Sequence, residues 1–186
     1  MHKEKLHEIL LSEDVVSSIK ENISYLTEII PEIKDMIGFE HNHPHHHLDV
    51  WNHTLLALSL SQKDFDIRLV LLLHDIGKPH SYQDDEVRHF KGHPEKSSEM
   101  SKEILKRLKF KEDEIYKICY LIETHDTPIT NKEIEEKLEL SITRFKIQCC
   151  DALAHNPKKL EKRINYLLLV YEKIKQKLPC KKLILE

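Results

Sequence analysis

The chain has 186 residues, 33% of them charged, a formal net charge of −3 and only three glycines, a length suited to one well-buried domain and short for two. Glycine is too scarce for the turns of a sheet protein, so an all-α fold is expected, and the dispersed lysines and arginines exclude the basic stripe that long nucleic acid requires. No signal-like apolar core follows the N-terminus and no run approaches the ~20 apolar residues of a membrane span, so a cytoplasmic protein without membrane contact is expected.

In chain order, Val15, Val16, Ile19, Ile23, Leu26, Ile29 and Ile30 fall at helical spacing over about residues 12–36. Ser12 is the expected N-cap and Pro31 the expected break. Residues 38–48 form a histidine-rich connection; Asp49 then caps a helix whose Val50, His53, Ala57 and Leu60 share one stripe, which puts His53 on an apolar face. Asp64 starts the next helix, and its run Leu69-Val70-Leu71-Leu72-Leu73, preceded by Ile67, carries His74 and Asp75 into the interior before Gly77 and Pro79 end it. Residues 81–92 read as a polar loop with a short hairpin about Asp84 and Asp85. His93 then begins a helix with proline next in line.

Met100, Ile104 and Leu108 continue that helix, and Ile115, Ile118, Ile122 and His125 form the inner stripe of the following one. Residues 131–140 are a charged amphipathic piece. Ser141 is the expected cap of a helix over 142–155 that turns Ile147, Asp151 and Ala154 inward. A last helix over 158–178 carries Leu160, Ile164, Leu167, Leu168, Tyr171 and Ile174 inward, and 179–186 read as an extended tail. The expected organisation is an N-terminal helical packing segment (1–40), a metal-site core (41–157) and a C-terminal helix and tail (158–186), all within one domain.

Four cysteines, Cys119, Cys149, Cys150 and Cys180, lack C-x-x-C spacing and read as reduced thiols without chemistry. Histidine is the anomaly: fourteen in all. The cluster His41-Asn42-His43-Pro44-His45-His46-His47 is expected to be mostly a solvated loop. The periodicity instead sends His53, His74, Asp75, His125 and Asp151 to inner faces and His93 to a helix start. A buried carboxylate beside an imidazole is costly unless it is paired or meets a cation, and six independent buried polar groups would weaken a small core severely.

With His53, His74-Asp75 and Asp151 in this order, the sequence resembles the HD superfamily of metal-dependent phosphohydrolases, an all-helical fold. Over about 40–157 it is most like the HD domain attached to some bacterial tRNA nucleotidyltransferases, through residues 46–56 (HHLDVWNHTLL), 72–79 (LLHDIGKP), 89–93 (HFKGH) and 151–156 (DALAHN). The resemblance implies a helical bundle of the HD type that holds a divalent metal. The nucleotidyltransferase head is not in this sequence, so a stand-alone enzyme is expected. Pro94 departs from the glutamate that often follows the corresponding histidine.

Two imidazoles and two carboxylates (His53, His74, Asp75, Asp151) suit one ion of Fe, Mn, Co, Ni, Zn or Mg. His93 and His125, expected to face the cleft from opposite sides, could add a second ion, with Asp75 between the two and an activated water as nucleophile. Lys78 either reaches the phosphoryl oxygens as a catalytic and substrate-binding group or is a solvated lysine complementing the helix dipole. His46 and Asp49 are candidates for the substrate pocket, and Arg144 is expected in a surface salt bridge. The expected activity is hydrolysis of a phosphate ester of a small nucleotide or related metabolite. A 2′,3′-cyclic phosphodiesterase or phosphatase on RNA ends and a non-catalytic nucleotide-sensing module are the alternatives, and the sequence leaves the oligomeric state open.

Overall fold

Asp64 accepts a hydrogen bond from the Ile67 N–H at 3.0 Å, and this cap begins the helix that organises the molecule. The computed structural model describes residues 2–83 and 86–178. Among them the helices are α1 (His2–Leu10), α2 (Val15–Glu21), α3 (Ile23–Ile29), α4 (Ile33–Met36), α5 (Val50–Ser59), α6 (Phe65–Leu73), α7 (His93–Arg107), α8 (Glu112–Glu123), α9 (Asn131–Glu136), α10 (Leu138–Leu153) and α11 (Glu161–Lys177). The fold is all-α; the only extended pairings among the described residues are two isolated bridges, Glu40 with Asp49 and Gln83 with His89. Among the described residues no helix is long and apolar enough to cross a membrane.

Helix α6 is central because every residue from Ile67 to Leu73 is buried, against α1, α5, α8 and α10. A helix apolar all round belongs in a core. Its one buried charge, Arg68, is satisfied locally: the guanidinium donates to Leu10 O (2.7 Å), Ser12 O (2.8 Å) and Ser61 Oγ (3.1 Å), which also closes the carbonyl end of α1. The main apolar core draws on residues from Leu6 to Ala154, whereas Ile129, Ile134, Val170 and Ile174 form a separate small cluster between α9 and α11.

Several boundaries differ from the sequence reading. Helix α1 falls within the expected N-terminal helical packing segment, in a stretch where no separate helix was delimited; Leu6, Ile9 and Leu10 bury its inner face. Asp14, not Ser12, caps α2 by accepting from Ser17 N–H, and the helical stretch breaks at Asn22 as well as at Pro31. A carboxylate is at least as good a cap as serine, and it stands one residue before the first helical turn. Ser141 lies inside α10, which starts three residues earlier at Leu138, and is buried with its N–H bonded to Lys137 O. Leu60 ends α5 exposed at 45%, and in α11 the buried stripe is Leu167, Val170 and Ile174 while Leu168 (57%) and Tyr171 (39%) face outward. Residues 84 and 85, the expected hairpin tip, and 179–186, the expected tail with Cys180, lie outside the described residues.

Candidate metal centre

His74 is the residue at which α6 ends, so the most buried helix delivers Asp75 to the floor of a cleft of about 410 Å³, with His74 fully buried beside it. Asp49 accepts from Asn52 N–H at 2.6 Å to start α5, and one turn on, His53 is fully buried. His93 starts α7 after Gly92, whose φ of +80° is a left-handed turn that favours glycine. His125 follows the end of α8, and Asp151 comes from the last turns of α10.

Asp75 is the hub. Its Oδ2 lies 3.6 Å from His53 Nε2, 3.3 Å from His74 Nε2 and 2.7 Å from Lys78 Nζ, while Oδ1 faces His93 Nε2 at 3.4 Å and His125 Nε2 at 4.0 Å. Asp151 Oδ1 lies 3.0 Å from His53 Nε2 and 3.6 Å from His74 Nε2. The six residues expected from the sequence therefore converge. His93 and His125 do not flank the cleft from opposite sides: their rings are 5.2 Å apart, side by side on one oxygen of Asp75, because the start of α7 packs directly beside the end of α8.

Each imidazole is fixed in the same way. Nδ1 of His53 meets Ala154 O (3.2 Å), that of His74 meets Leu71 O (2.7 Å), that of His93 meets Phe90 O (2.9 Å) and that of His125 meets Ile122 O (2.6 Å). A carbonyl only accepts, so Nδ1 carries a proton and Nε2 is the atom turned to the centre, the outer arrangement that orients metal-bound histidines. The fit to a cation is tested by what is left over. His74 Nε2 and both oxygens of Asp75 are buried without hydrogen-bond geometry to any described group, close as the neighbouring atoms are, and such orphans call for an ion or water. His53, His74 and Asp75 form one set close enough to hold an ion, Asp75, His93 and His125 a second, and His53, Asp151 and His155 a third. Electrostatics agree: burial alone would raise both aspartates, yet His74 and Lys78 hold Asp75, and His155 and Arg163 hold Asp151, well below the usual carboxylate range. Burial opposes charge on His74, but the two aspartates outweigh it and carry that imidazole up to about 10. Both carboxylates stay ionised, and their field favours positive charge among the four imidazoles.

Lys78 is neither solvated nor free. It is buried, and its Nζ spans Asp75 and His41 Nε2 (3.0 Å). His46 lines the cleft; Asp49 does not, since both its oxygens are spent on Asn52. The histidine-rich connection is only partly solvated: His41 is buried and stacked on His46 with ring centroids 3.7 Å apart, and Asn156 ties down the backbone of Pro44 and His45. Arg144 is not in a surface salt bridge. It is buried and donates to Glu133 Oε1 (2.6 Å), Thr124 O (2.9 Å) and Thr127 O (3.0 Å), holding the turn behind His125.

Three residues at or beside the cleft escaped the sequence reading. His155 stands four residues after Asp151, the spacing that shares a helix face, and its Nδ1 meets Asp151 O at 2.8 Å; that spacing could have found it. Arg163 donates to Asp151 Oδ2 at 2.5 Å and pairs with Asp126 at 3.3 Å, but nothing in its amphipathic helix marks it. His41 cannot be told from its neighbours in a run of five histidines.

Comparison with known proteins agrees with this geometry. The HD domain family model matches residues 45–170. An A-adding tRNA nucleotidyltransferase of Deinococcus radiodurans is 32% identical over 133 residues, and a CC-adding tRNA nucleotidyltransferase of Thermus thermophilus is 31% identical over 133 residues. Each match takes in 66% of this chain and 30% of the relative, so the chain spans about a third of the length of the curated relatives it matches. HD domains bind divalent metals and belong to a superfamily of metal-dependent hydrolases. With His53, His74-Asp75 and Asp151 gathered at one point within the matched span, this chain belongs to the HD domain family.

Proposed function

We propose that the chain is a metal-dependent phosphohydrolase that cleaves a phosphate ester of a small nucleotide or related metabolite. The observation that carries this reading is Asp75, one buried carboxylate shared between two imidazole pairs on the floor of a cleft whose walls bring Lys78, Arg88, Lys91 and Arg163. His53, His74, Asp75 and Asp151 would hold one ion, and His93 and His125 with the other oxygen of Asp75 a second. Fe, Mn, Co, Ni, Zn and Mg all accept such donors. A bound divalent ion supplies a Lewis acid and a water acidic enough to attack phosphorus near neutral pH.

The side chains do the rest. Arg163 has five N–H donors and commits only part of them to Asp151 and Asp126, and Lys91 is exposed at the rim, so both can take phosphate oxygens. Lys78 sits where charge builds on the transferred phosphoryl group. Hydrolysis adds water across the P–O ester bond, and the leaving alcohol departs with the proton. Cys149 and Cys150 have no part in it: burial pushes the Cys149 thiol up to about 11 and Cys150 up to about 12, and neither lines the cleft.

A second reading, action on RNA 3′ ends as a 2′,3′-cyclic phosphodiesterase or phosphatase, is favoured by the tRNA substrate in the names of both relatives. The test is a panel of nucleotides, cyclic phosphates and sugar phosphates with each divalent metal in turn. Asp151→Asn is expected to lose at least about 100-fold in turnover, more than the loss of an outer-shell partner, with Cys149→Ala and Cys150→Ala near wild type. A folded but inactive cysteine variant would overturn the mechanism. No turnover with any metal on any ester would favour a nucleotide-sensing module instead.

A further inference from the structure

A second cavity of about 300 Å³ shares Asp126, Thr127 and Arg163 with the metal cleft and continues from it between the 126–128 turn, α10 and α11. Its own walls are Pro128, Gln148, Lys162 and Tyr166, and they are mostly apolar. They are also fixed. Ile129 N–H donates to Tyr166 Oη at 2.7 Å, Tyr166 O–H donates to Gln148 Oε1 at 3.2 Å, and Gln148 Nε2 donates to Thr127 O at 2.7 Å. The chain of bonds engages the side chains of Gln148 and Tyr166 and locks the tyrosine ring in place, with a proline ring on the turn beside it. A rigid, flat-sided, largely apolar slot opening off a charged cleft fits a ligand that is a phosphate at one end and an uncharged flat ring at the other.

We propose that this cavity is the subsite for the group esterified to the phosphate, and that the group is the nucleoside of a free mononucleotide. The proposal rests on the phosphohydrolase reading for the phosphate end alone. Arg163 stands at the junction, held by Asp151 on the metal side and Asp126 on the other, so it can grip the phosphate while Asp126, 45% exposed at its side chain, accepts from ribose hydroxyls. The volume is at the small end of ligand pockets, about 300 Å³, and admits one nucleoside rather than a strand. Lys162, on the exposed face at the mouth, has no partner among the described residues.

Two measurements on the full chain test this. In the first, kcat/KM is compared for a nucleoside 5′-monophosphate and for glycerol phosphate, a ringless ester, in wild type and in Lys162→Trp, which fills the mouth from an exposed helical position. The nucleotide-to-glycerol ratio is expected to fall at least tenfold. An unchanged ratio, or faster cleavage of a 3′-phosphorylated oligonucleotide than of the mononucleotide, would overturn the assignment. In the second, unphosphorylated adenosine and cytidine are titrated against labelled protein by NMR. Shifts centred on Ile129 and Tyr166, lost in Lys162→Trp, support the subsite, and their absence at millimolar nucleoside overturns it. Because that titration needs no turnover, an inactive protein would sink the hydrolase reading while still deciding the subsite.

Discussion

His41 is set as tightly as any of the candidate ligands, yet it points at a lysine. Its Nδ1 meets Leu48 O at 2.7 Å, so the lone pair on Nε2 is left to accept from Lys78 Nζ at 3.0 Å. Burial, with Lys78 beside it, holds the imidazole down to about 2, and it accepts at any working pH. The ammonium is thus placed by its ion pair with Asp75 and by the His41 acceptor, and Phe90 covers it with its ring centroid 5.5 Å from Nζ. His41 is a positioning residue for Lys78. His41→Phe is expected to lower kcat/KM on a phosphate ester by about 10–100-fold, as outer-shell losses do, with metal content unchanged. His41→Gln, which keeps an acceptor, should recover part of it. Equal metal loss in both variants would show that the residue merely supports the fold.

At the scale of elements, the geometry depends on how closely α7 approaches the end of α6. Gly77 makes that approach possible: a Cβ added there would lie 2.5 Å from Ser97 N and 2.9 Å from Lys96 C, both backbone atoms that cannot step aside, and Gly77 N–H already donates to Ser97 Oγ at 2.9 Å. His93 and Asp75 ride on the two elements that meet here. Gly77→Ala is expected to destabilise by about 1–3 kcal/mol, the usual cost of overpacking, and to weaken metal binding at His93 and His125 more than at His53 and His74. Denaturant unfolding and metal stoichiometry together check it. A variant as stable as wild type with full metal content would contradict the close packing.

At the scale of the whole molecule, Glu133 and Arg144 join α9 to α10 and hold the turn that carries His125 and Asp126. Burial raises the Glu133 carboxyl, but the Thr130 N–H and hydroxyl and the Arg144 guanidinium outweigh it, and the net shift is downward from 4.5. A depressed carboxyl adds stability above its unfolded value, and the gain is lost as pH falls through the folded one. Wild type is therefore expected to lose stability on acidification below about pH 4.5 more steeply than Glu133→Gln. At pH 7 the variant should be the weaker by about 1–3 kcal/mol, since the amide loses the charge opposite the buried guanidinium and keeps one acceptor oxygen for the donors that Arg144 and Thr130 bring. Thermal unfolding of both proteins at pH 7 and pH 3.5 reads the difference; parallel curves would remove Glu133 from the account.

Helical periodicity and capping chemistry by themselves determined the class of fold, the start of α5 at Asp49 and of α6 at Asp64, and the inward faces that hold His53, His125 and Asp151. Each of these is local: a carboxylate reaching an N–H three residues on, or an apolar stripe that must be buried. The order of His53, His74-Asp75 and Asp151 was enough to place the chain among HD domains. Where local signals competed, the reading slipped, as at Ser141, where a capping residue lies within a helix begun three residues earlier, and at Leu168 and Tyr171, where apolar residues stand on an exposed face. The tertiary structure alone decided which of the five clustered histidines goes inside, since the burial of Lys78 gives His41 Nε2 its partner. It alone paired Arg163 with Asp151, because that contact depends on how α11 packs on α10, and it alone set His93 and His125 side by side on one oxygen of Asp75. Those relations join residues far apart in the chain, and no repeat of 3.6 carries information about them.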